Sequence, residues 1–391
     1  MEKRIKLARV TTVPSSLLAF CTGLVRELAD DGYNVVAISS ANTKPGDNTT
    51  PSELQTFAQG EGVEYATVEM ERHISPLRDL RALWNMIKTL RRVKPDIVHS
   101  MTPKAGLISM MAAWITRVPI RVHTFTGLVF PTSTGLKRRI LMLTDRITCA
   151  CATHIIPEGE GVKADLLNFH ITRKPIRVLG YGNIRGIDLE HFKPEPRQDK
   201  PGYGKPFTFI NIGRLVGDKG INELVEAFTA ISAEQPGKAK LILVGPTEDK
   251  LDPLRPETLR AIESCPDIEA VGKQSDVRPW LNRADALVFP SYREGFPNVV
   301  IEAGAMGLPS IVTDINGSRE IIIEGQNGTI ITPRDTAALK NAMTQWISNP
   351  SLVASLAENA RQLIATRFEQ SYVRQCLKDY YQSLINEKLA P

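Results

Sequence analysis

Short β-branched and aliphatic runs alternate with amphipathic helical stretches along almost the whole chain, and nothing else in the sequence restricts its fold so strongly. Ile5–Thr12, Asn34–Ser40, Asp96–Met101 and Ile120–Phe125 read as strands. Ser15–Asp30, Pro76–Val93 and Gly106–Arg117 read as the helices between them, the second with Leu77, Leu80, Leu83, Trp84 and Ile87 on one face. A strand–helix–strand rhythm of this kind predicts an α/β fold with a doubly wound parallel sheet. Ligands of such a sheet lie beyond the carboxyl ends of its strands.

The rhythm pauses between about Tyr181 and Lys205, where Gly, Pro and charged residues gather, and then restarts. Phe207–Gly213, Lys240–Gly245, Ala286–Pro290 and Ser310–Thr313 read as strands, Asn222–Ser232 and a segment from Asn298 as helices, and the chain looks helical from Thr336 onward. The expected organisation is a first domain over residues 1–195 and a second over 205–365. A 391-residue chain with 42% hydrophobic and 23% charged residues suits two well-packed domains of ordinary size. No apolar stretch is long enough to span a bilayer, and the first residues lack the pattern of a signal peptide. The five cysteines (Cys21, Cys149, Cys151, Cys265, Cys376) form no Cys-x-x-Cys pair, which points to a reducing, cytoplasmic setting without a disulfide framework or zinc site.

The stretch richest in chemistry is Ser291–Pro309. A buried strand ends at Pro290, a loop follows, and Pro297 sits where the first turn of a helix accepts it. The backbone N–H groups of about Asn298 and Val299 would leave that helix start as a phosphate site. Glu294 precedes the helix and Glu302 lies within its first two turns, so both carboxylates can face one crevice and accept hydrogen bonds from sugar diols. Either glutamate alone would read as a solvated surface residue. Earlier in the same half, the strand from Phe207 opens into Gly213-Arg214-Leu215-Val216-Gly217-Asp218-Lys219-Gly220 before a helix. Arg214 and Lys219 offer a planar fork of donors and a point charge, a pairing suited to a diphosphate.

Glu294-Gly295-Phe296-Pro297-Asn298-Val299-Val300-Ile301-Glu302 resembles the Glu-x7-Glu signature of glycosyltransferase family 4. Gly213-Arg214 with Lys219-Gly220 is similar to that family's cationic pair. Val271-Gly272-Lys273 falls where the family meets the nucleotide base, and Asp314–Glu320 matches after the following strand. The resemblance covers nearly the whole chain. It implies the GT-B fold, with two facing Rossmann-like domains and a C-terminal helix (366–391) crossing back to the N-terminal domain. It also implies a retaining glycosyltransferase taking a hexose or N-acetylhexosamine from a UDP-sugar, a substrate rather than a cofactor. Arg214, Lys219 and Glu294 would be catalytic. Gly213, Gly272, Lys273, Gly295, Phe296, Asn298, Val299 and Glu302 would bind the donor. With no Asp-x-Asp motif, no metal is expected, since the two cations and a helix N-terminus can neutralise the leaving group.

The N-terminal half departs from the family pattern. Thr11–Ser16 stands in place of a Gly-rich loop, Arg185 replaces a small polar residue, and Thr126 occupies the position of the catalytic-loop histidine. His123, three residues earlier, is the substitute candidate, although a lone histidine at a strand's end also suits a structural role.

Charge is divided unevenly. Residues 1–195 hold 26 Lys and Arg against 19 acids, and residues 72–146 hold 14 against Asp79, Asp96 and Asp145 alone. Such a surface suits an anionic membrane or a phosphorylated acceptor. Nucleic acid fits less well, because no aromatic stacking pattern accompanies the charge. Val68–Leu83 and Lys104–Leu107 resemble a bacterial branch of the family that extends undecaprenyl-diphosphate-linked sugars for capsules, O-antigens and other glycans. Apolar residues lie close to the cations: Met110, Met111, Trp114 and Ile115 near Lys104 and Arg117, and Ile140, Leu141 and Leu143 near Lys137, Arg138, Arg139 and Arg146. They suit either peripheral docking on the inner leaflet or ordinary helix-to-sheet core. Two rival functions share the fold: a nucleotide-sugar epimerase, and a non-catalytic partner subunit. The intact Arg214, Lys219, Glu294 and Glu302 weigh against the second.

Overall fold

A computed structural model describes residues 4–44, 46–71, 73, 75–195, 205–248 and 252–388. Residues 196–204 of the expected linker, Arg72 of the basic region and the last three residues of the chain lie outside the described residues. The chain divides into two compact units, residues 1–185 with 371–391, and residues 186–370.

The first unit carries β1 (Lys6–Val10), β2 (Asn34–Ser39), β3 (Glu64–Thr67), β4 (Ile97–Met101), β5 (Ile120–Phe125) and β6 (His154–Pro157) in one parallel sheet, in the order 3-2-1-4-5-6. Around it run α1 (Pro14–Cys21), α2 (Leu24–Asp30), α3 (Glu53–Glu61), α4 (Pro76–Val93), α5 (Pro103–Ile115), α6 (Gly135–Cys151) and α7 (Glu160–Asn168). The central strands are buried on both faces, as their unbroken aliphatic runs require. One helix was expected over Ser15–Asp30, but the chain breaks it at Gly23, whose φ of 74° no helix continues through.

The bounds of α4 match the expectation, and most of the apolar face read from the sequence is turned outward. Ala82, Met86, Ile87, Thr89 and Leu90 pack inward with Leu83 partly covered, whereas Leu77, Leu80 and Trp84 are 82%, 63% and 54% exposed. Small Ala82 and flexible Met86 let the helix lie close to its neighbours, so the bulkier residues are turned outward. Met110 is fully buried, while Trp114, Ile115 and Leu143 are exposed.

The second unit repeats the plan. β7 (Phe207–Ile212), β8 (Ala239–Val244), β9 (Ile268–Gly272), β10 (Ala286–Phe289), β11 (Ser310–Thr313) and β12 (Gly328–Ile331) form a parallel sheet in the order 12-11-10-7-8-9. Counted from its own first strand, this is again 3-2-1-4-5-6 with the direction reversed. Its helices are α8 (Ile221–Glu234), α9 (Pro256–Ser264), α10 (Arg278–Arg283), α11 (Asn298–Ala305), α12 (Ser318–Ile321), α13 (Thr336–Ser348) and α14 (Pro350–Phe368). Asp335 caps α13 by accepting from the Ala338 N–H at 2.8 Å. Phe209, Phe228 and Trp346 fill the core between α8, α13 and the sheet.

Gly220, between β7 and α8, has φ of 69°, and a Cβ there would drive into the Pro290 carbonyl. Gly220→Ala is therefore expected to destabilise the fold by ~1–3 kcal/mol, from the left-handed backbone and the collision together. A urea midpoint equal to that of the parent would contradict this.

The final helix, α15 (Gln370–Lys388), packs with the first unit through Val373, Leu377, Tyr380, Tyr381 and Leu384. At its centre Arg9 of β1 is almost wholly buried. Its Nη1 donates to Tyr381 Oη and lies against His99 Nδ1, each at 2.7 Å, and its Nη2 reaches Met101 Sδ at 3.1 Å. Burial, with this cation beside it, holds His99 well below the usual imidazole range. Arg374 and Lys378 add ion pairs to Glu27 and Asp31 of the first unit.

Candidate active site

In each sheet the strand order reverses beside the first strand, the place at the carboxyl ends where open sheets of this kind bind ligands. In the second unit the reversal lies between β7 and β10. Gly213, Arg214 and Lys219 follow β7, and Glu294, Gly295, Asn298, Val299 and Glu302 follow β10. The topology thus gathers, at one place, residues that the sequence holds some 75 positions apart.

The meeting is direct. Lys219 Nζ forms an ion pair with Glu294 Oε1, the two side chains only 20% and 18% exposed. Ser291 Oγ donates to the same carboxylate oxygen at 2.9 Å. Lys219 also stands over the Phe289 ring, 5.8 Å from its centre. The loops behind them are tied together: Tyr292 N–H donates to the Asp218 carbonyl at 2.9 Å, and Arg293 pairs with the Asp218 carboxylate at 3.3 Å. The cation and the carboxylate are therefore held in register from both sides before any substrate arrives.

Pro297 stands just before the first residue of α11, and the first-turn N–H groups of such a helix point out of its end as an anion site. Gly317, with φ of 75°, lies against the carbonyl of Gly295 and the backbone of Phe296, where a Cβ would collide. This close approach fixes the Gly295–Phe296 bend that aims α11. The Phe296 ring itself turns into the core, edge-on to Phe368 at 5.5 Å, so only its backbone borders the crevice. Glu302 sits in the second turn of α11, part-buried. Gly272 and Lys273 are exposed at the end of β9, and the Gly272 carbonyl accepts from Gly245 N–H at 2.9 Å. Arg214 is half exposed and paired with Glu248.

Comparison with known proteins places this arrangement. The model of the group 1 glycosyl transferases matches residues 192–363, and that of the glycosyl transferase 4-like domain matches residues 19–182. The capsular polysaccharide biosynthesis glycosyltransferase CapM of Staphylococcus aureus is 33% identical over 82% of this chain and 85% of its own. The chain belongs to the family 4 glycosyltransferases. A second relative is the Escherichia coli UDP-Gal:alpha-D-GlcNAc-diphosphoundecaprenol alpha-1,3-galactosyltransferase, 25% identical over 81% of this chain and 83% of its own. Among solved structures, Anabaena Alr3699/HepE in complex with UDP superposes with a TM-score of 0.77 at 19% identity, covering 97% of this chain and all of the other. The fold of this glycosyltransferase is GT-B.

His123 belongs to the first unit, on β5. It is 1% exposed, with Nδ1 bonded to Ser100 Oγ at 2.8 Å and the ring edge-on to Phe125. It also rests on Gly106 of α5, where a Cβ would collide with it. Burial pushes its imidazole down to about 3. So placed, it fills space between strand and helix, and we leave it out of the donor site proposed for this glycosyltransferase.

Three contributors escaped the sequence reading. Ser291 orients Glu294, Glu248 holds Arg214, and Asp218 locks the two loops. Asp218 adjoins Lys219 and Ser291 stands three residues before Glu294, so their proximity was visible although their role was not. Glu248 follows β8, and only the sheet order brings it beside Arg214.

Proposed function

We propose that this glycosyltransferase moves a hexose or N-acetylhexosamine from a UDP-sugar to a lipid-diphosphate-linked saccharide in cell-surface polysaccharide synthesis, with retention of configuration and without a metal ion. The observation that carries the reading is the Lys219–Glu294 pair, held at the switch-point crevice beside the N-terminus of α11. Lys219 and Arg214 would neutralise the departing diphosphate, and the α11 N-terminus would hold one of its phosphates. The bond from the anomeric carbon to the phosphate oxygen breaks, and the acceptor hydroxyl attacks from the same face. The leaving phosphate, kept on that face, takes the hydroxyl proton. Glu302 would hold the ribose and Glu294 the hexose, while Gly272 and Lys273 would border the base. The relatives support the acceptor class: one is named for capsular polysaccharide biosynthesis, the other for a diphosphoundecaprenol substrate. The enzyme would work at the cytoplasmic face of the membrane, where such lipids are extended.

The test is incubation of the purified protein with a panel of UDP-sugars, with and without an undecaprenyl-diphosphate-linked saccharide, in excess EDTA. An α-linked product from an α-linked donor, read by NMR, is expected. An epimerised donor would indicate an epimerase, and no reaction across the panel a binding subunit. A β product would refute retention, and activity lost to EDTA and restored by Mg²⁺ would refute metal independence.

A further inference from the structure

The basic region of the first unit has a composition on its outer surface that its sequence alone did not reveal. Helix α5 packs between α4 and α6, so the three form one layer on the sheet. The outer face of α4 carries Leu77, Leu80 and Trp84 at i, i+3 and i+7, interleaved with Arg81, Lys88, Arg91 and Arg92, all exposed. Leu136 and Leu143 of α6 are 72% and 55% exposed with Arg139 and Arg146 beside them, and Trp114 is 60% exposed at the end of α5. Exposed apolar side chains are ordinary when scattered singly and informative when grouped.

The acids of residues 72–146 are all withheld from this surface. Asp79 is bound to Lys104 Nζ at 2.6 Å, Asp96 is buried and accepts from the Lys6 N–H at 2.9 Å, and Asp145 is buried. Desolvation by burial raises the Asp145 carboxyl to about 7. Just upstream, Glu71 is taken by Arg78. Among the described residues of 72–146, the outer face therefore presents apolar side chains and positive charge, with the acids of that stretch buried or paired. Among the described residues no helix is long and apolar enough to cross a membrane.

We infer that the outer faces of α4 and α6, with Trp114, form a docking surface for an anionic lipid bilayer, with Leu77, Leu80 and Trp84 entering the acyl boundary. This rests on the membrane-surface setting proposed above and names the element that makes the contact. A helix lying in the bilayer surface needs an apolar stripe flanked by cations, and α4 provides both over 18 residues. Charge complementarity favours lipid over a second copy of this chain, since two such faces would repel one another. Lys88 Nζ stands 5.4 Å from the Trp84 ring centre, so the ring sits where a headgroup contact and an apolar contact coincide.

The probe is a vesicle without donor or acceptor, so the result is independent of whether sugar transfer occurs. Flotation with vesicles of phosphatidylcholine and phosphatidylglycerol should capture the full-length protein, and pure phosphatidylcholine should capture far less. Exchanging Arg81, Lys88, Arg91 and Arg92 for Glu should weaken capture by at least ~10-fold at low salt. Exchanging Leu77, Leu80 and Trp84 for Ser should weaken it while leaving the salt dependence intact. Because these side chains are exposed, the thermal midpoint should not move, which separates lost docking from lost folding. Lipids brominated near the headgroup should quench a component of the tryptophan fluorescence that disappears in Trp84→Phe. Capture equal to the parent in the Leu and Trp variant, or quenching unaltered by Trp84→Phe, would overturn the inference. Equal capture by both lipid mixtures would overturn it too, as would a soluble dimer formed through this face.

Discussion

Replacing Lys219 with Ala is expected to lower kcat by roughly 100- to 1,000-fold, the loss typical when one preorganised donor to a developing anion is removed. The expectation follows from how little freedom the ammonium has. It leaves a single turn before Gly220, whose carbonyl neighbours are tied to the β10–α11 loop through Tyr292 and Asp218, and its head rests on Glu294. Negative charge on the nucleoside diphosphate grows as the glycosidic bond lengthens, so a cation fixed in this place favours the transition state over the bound donor. KM for the donor should change less than kcat. Arg214→Ala should act in the same direction, although the Arg214 side chain is about half exposed and shared with Glu248. Steady-state rates with a saturating donor decide the matter: turnover like the parent's in both variants would remove these residues from the mechanism.

Glu294→Gln and Glu302→Gln should fail in different ways. Glu294 is bound by Lys219 and by Ser291, so its carboxylate is oriented before the sugar arrives, and loss of its charge should cut kcat by tenfold or more. Binding of free UDP, which lacks the hexose, should stay close to that of the parent. Glu302, in the second turn of α11, is expected to meet the ribose, so Glu302→Gln should weaken UDP binding by about tenfold, the scale of one hydrogen bond to a charged group. Calorimetric titration with UDP and single-turnover rates separate the two effects. Equal loss of UDP affinity in both variants would show that the carboxylates do not divide the work in this way. A coupling also follows from the ion pair: the Lys219→Ala and Glu294→Gln effects on kcat should combine to less than their product, because each removes part of the other's orientation.

Much of this architecture is legible in the sequence, and the exceptions share a cause. Eight strands were expected and eight are present within a residue or two. The four that went unseen, Glu64–Thr67, His154–Pro157, Ile268–Gly272 and Gly328–Ile331, are the outermost strands of the two sheets. An edge strand is covered less fully than a central one, so its sequence need not be a continuous aliphatic run. Glu64, Tyr65 and Glu269 are exposed for that reason. The exposure of the α4 apolar face has a different origin. Periodicity reports that a helix has an apolar stripe, but not whether protein or another apolar phase covers it, and Leu77 and Trp84 contribute to the pattern as strongly as Met86 and Leu90. A candidate site could be proposed from the sequence wherever a residue type and its spacing specify the chemistry, as with Glu294 and Glu302. It was not legible where fold alone creates the contact, as between Glu248 and Arg214, or between Lys219 and Glu294 themselves.

The bond between Arg9 and Tyr381 joins residues 372 positions apart, and it gives the protein a schedule. During synthesis the first strand and its sheet partners emerge before segment 186–370, and the helix that covers Arg9 emerges after it. At roughly 5–20 residues per second, the 185 residues between Arg185 and Ser371 take on the order of ten to forty seconds to appear. Through that interval the guanidinium is without its phenol, and the apolar places of Leu377, Tyr380 and Leu384 against β1 and its neighbours stand open. The segment 186–370, all of whose strands and core lie within one uninterrupted stretch, has no such wait. Of the two units, the one that begins to be translated first is thus the one completed second.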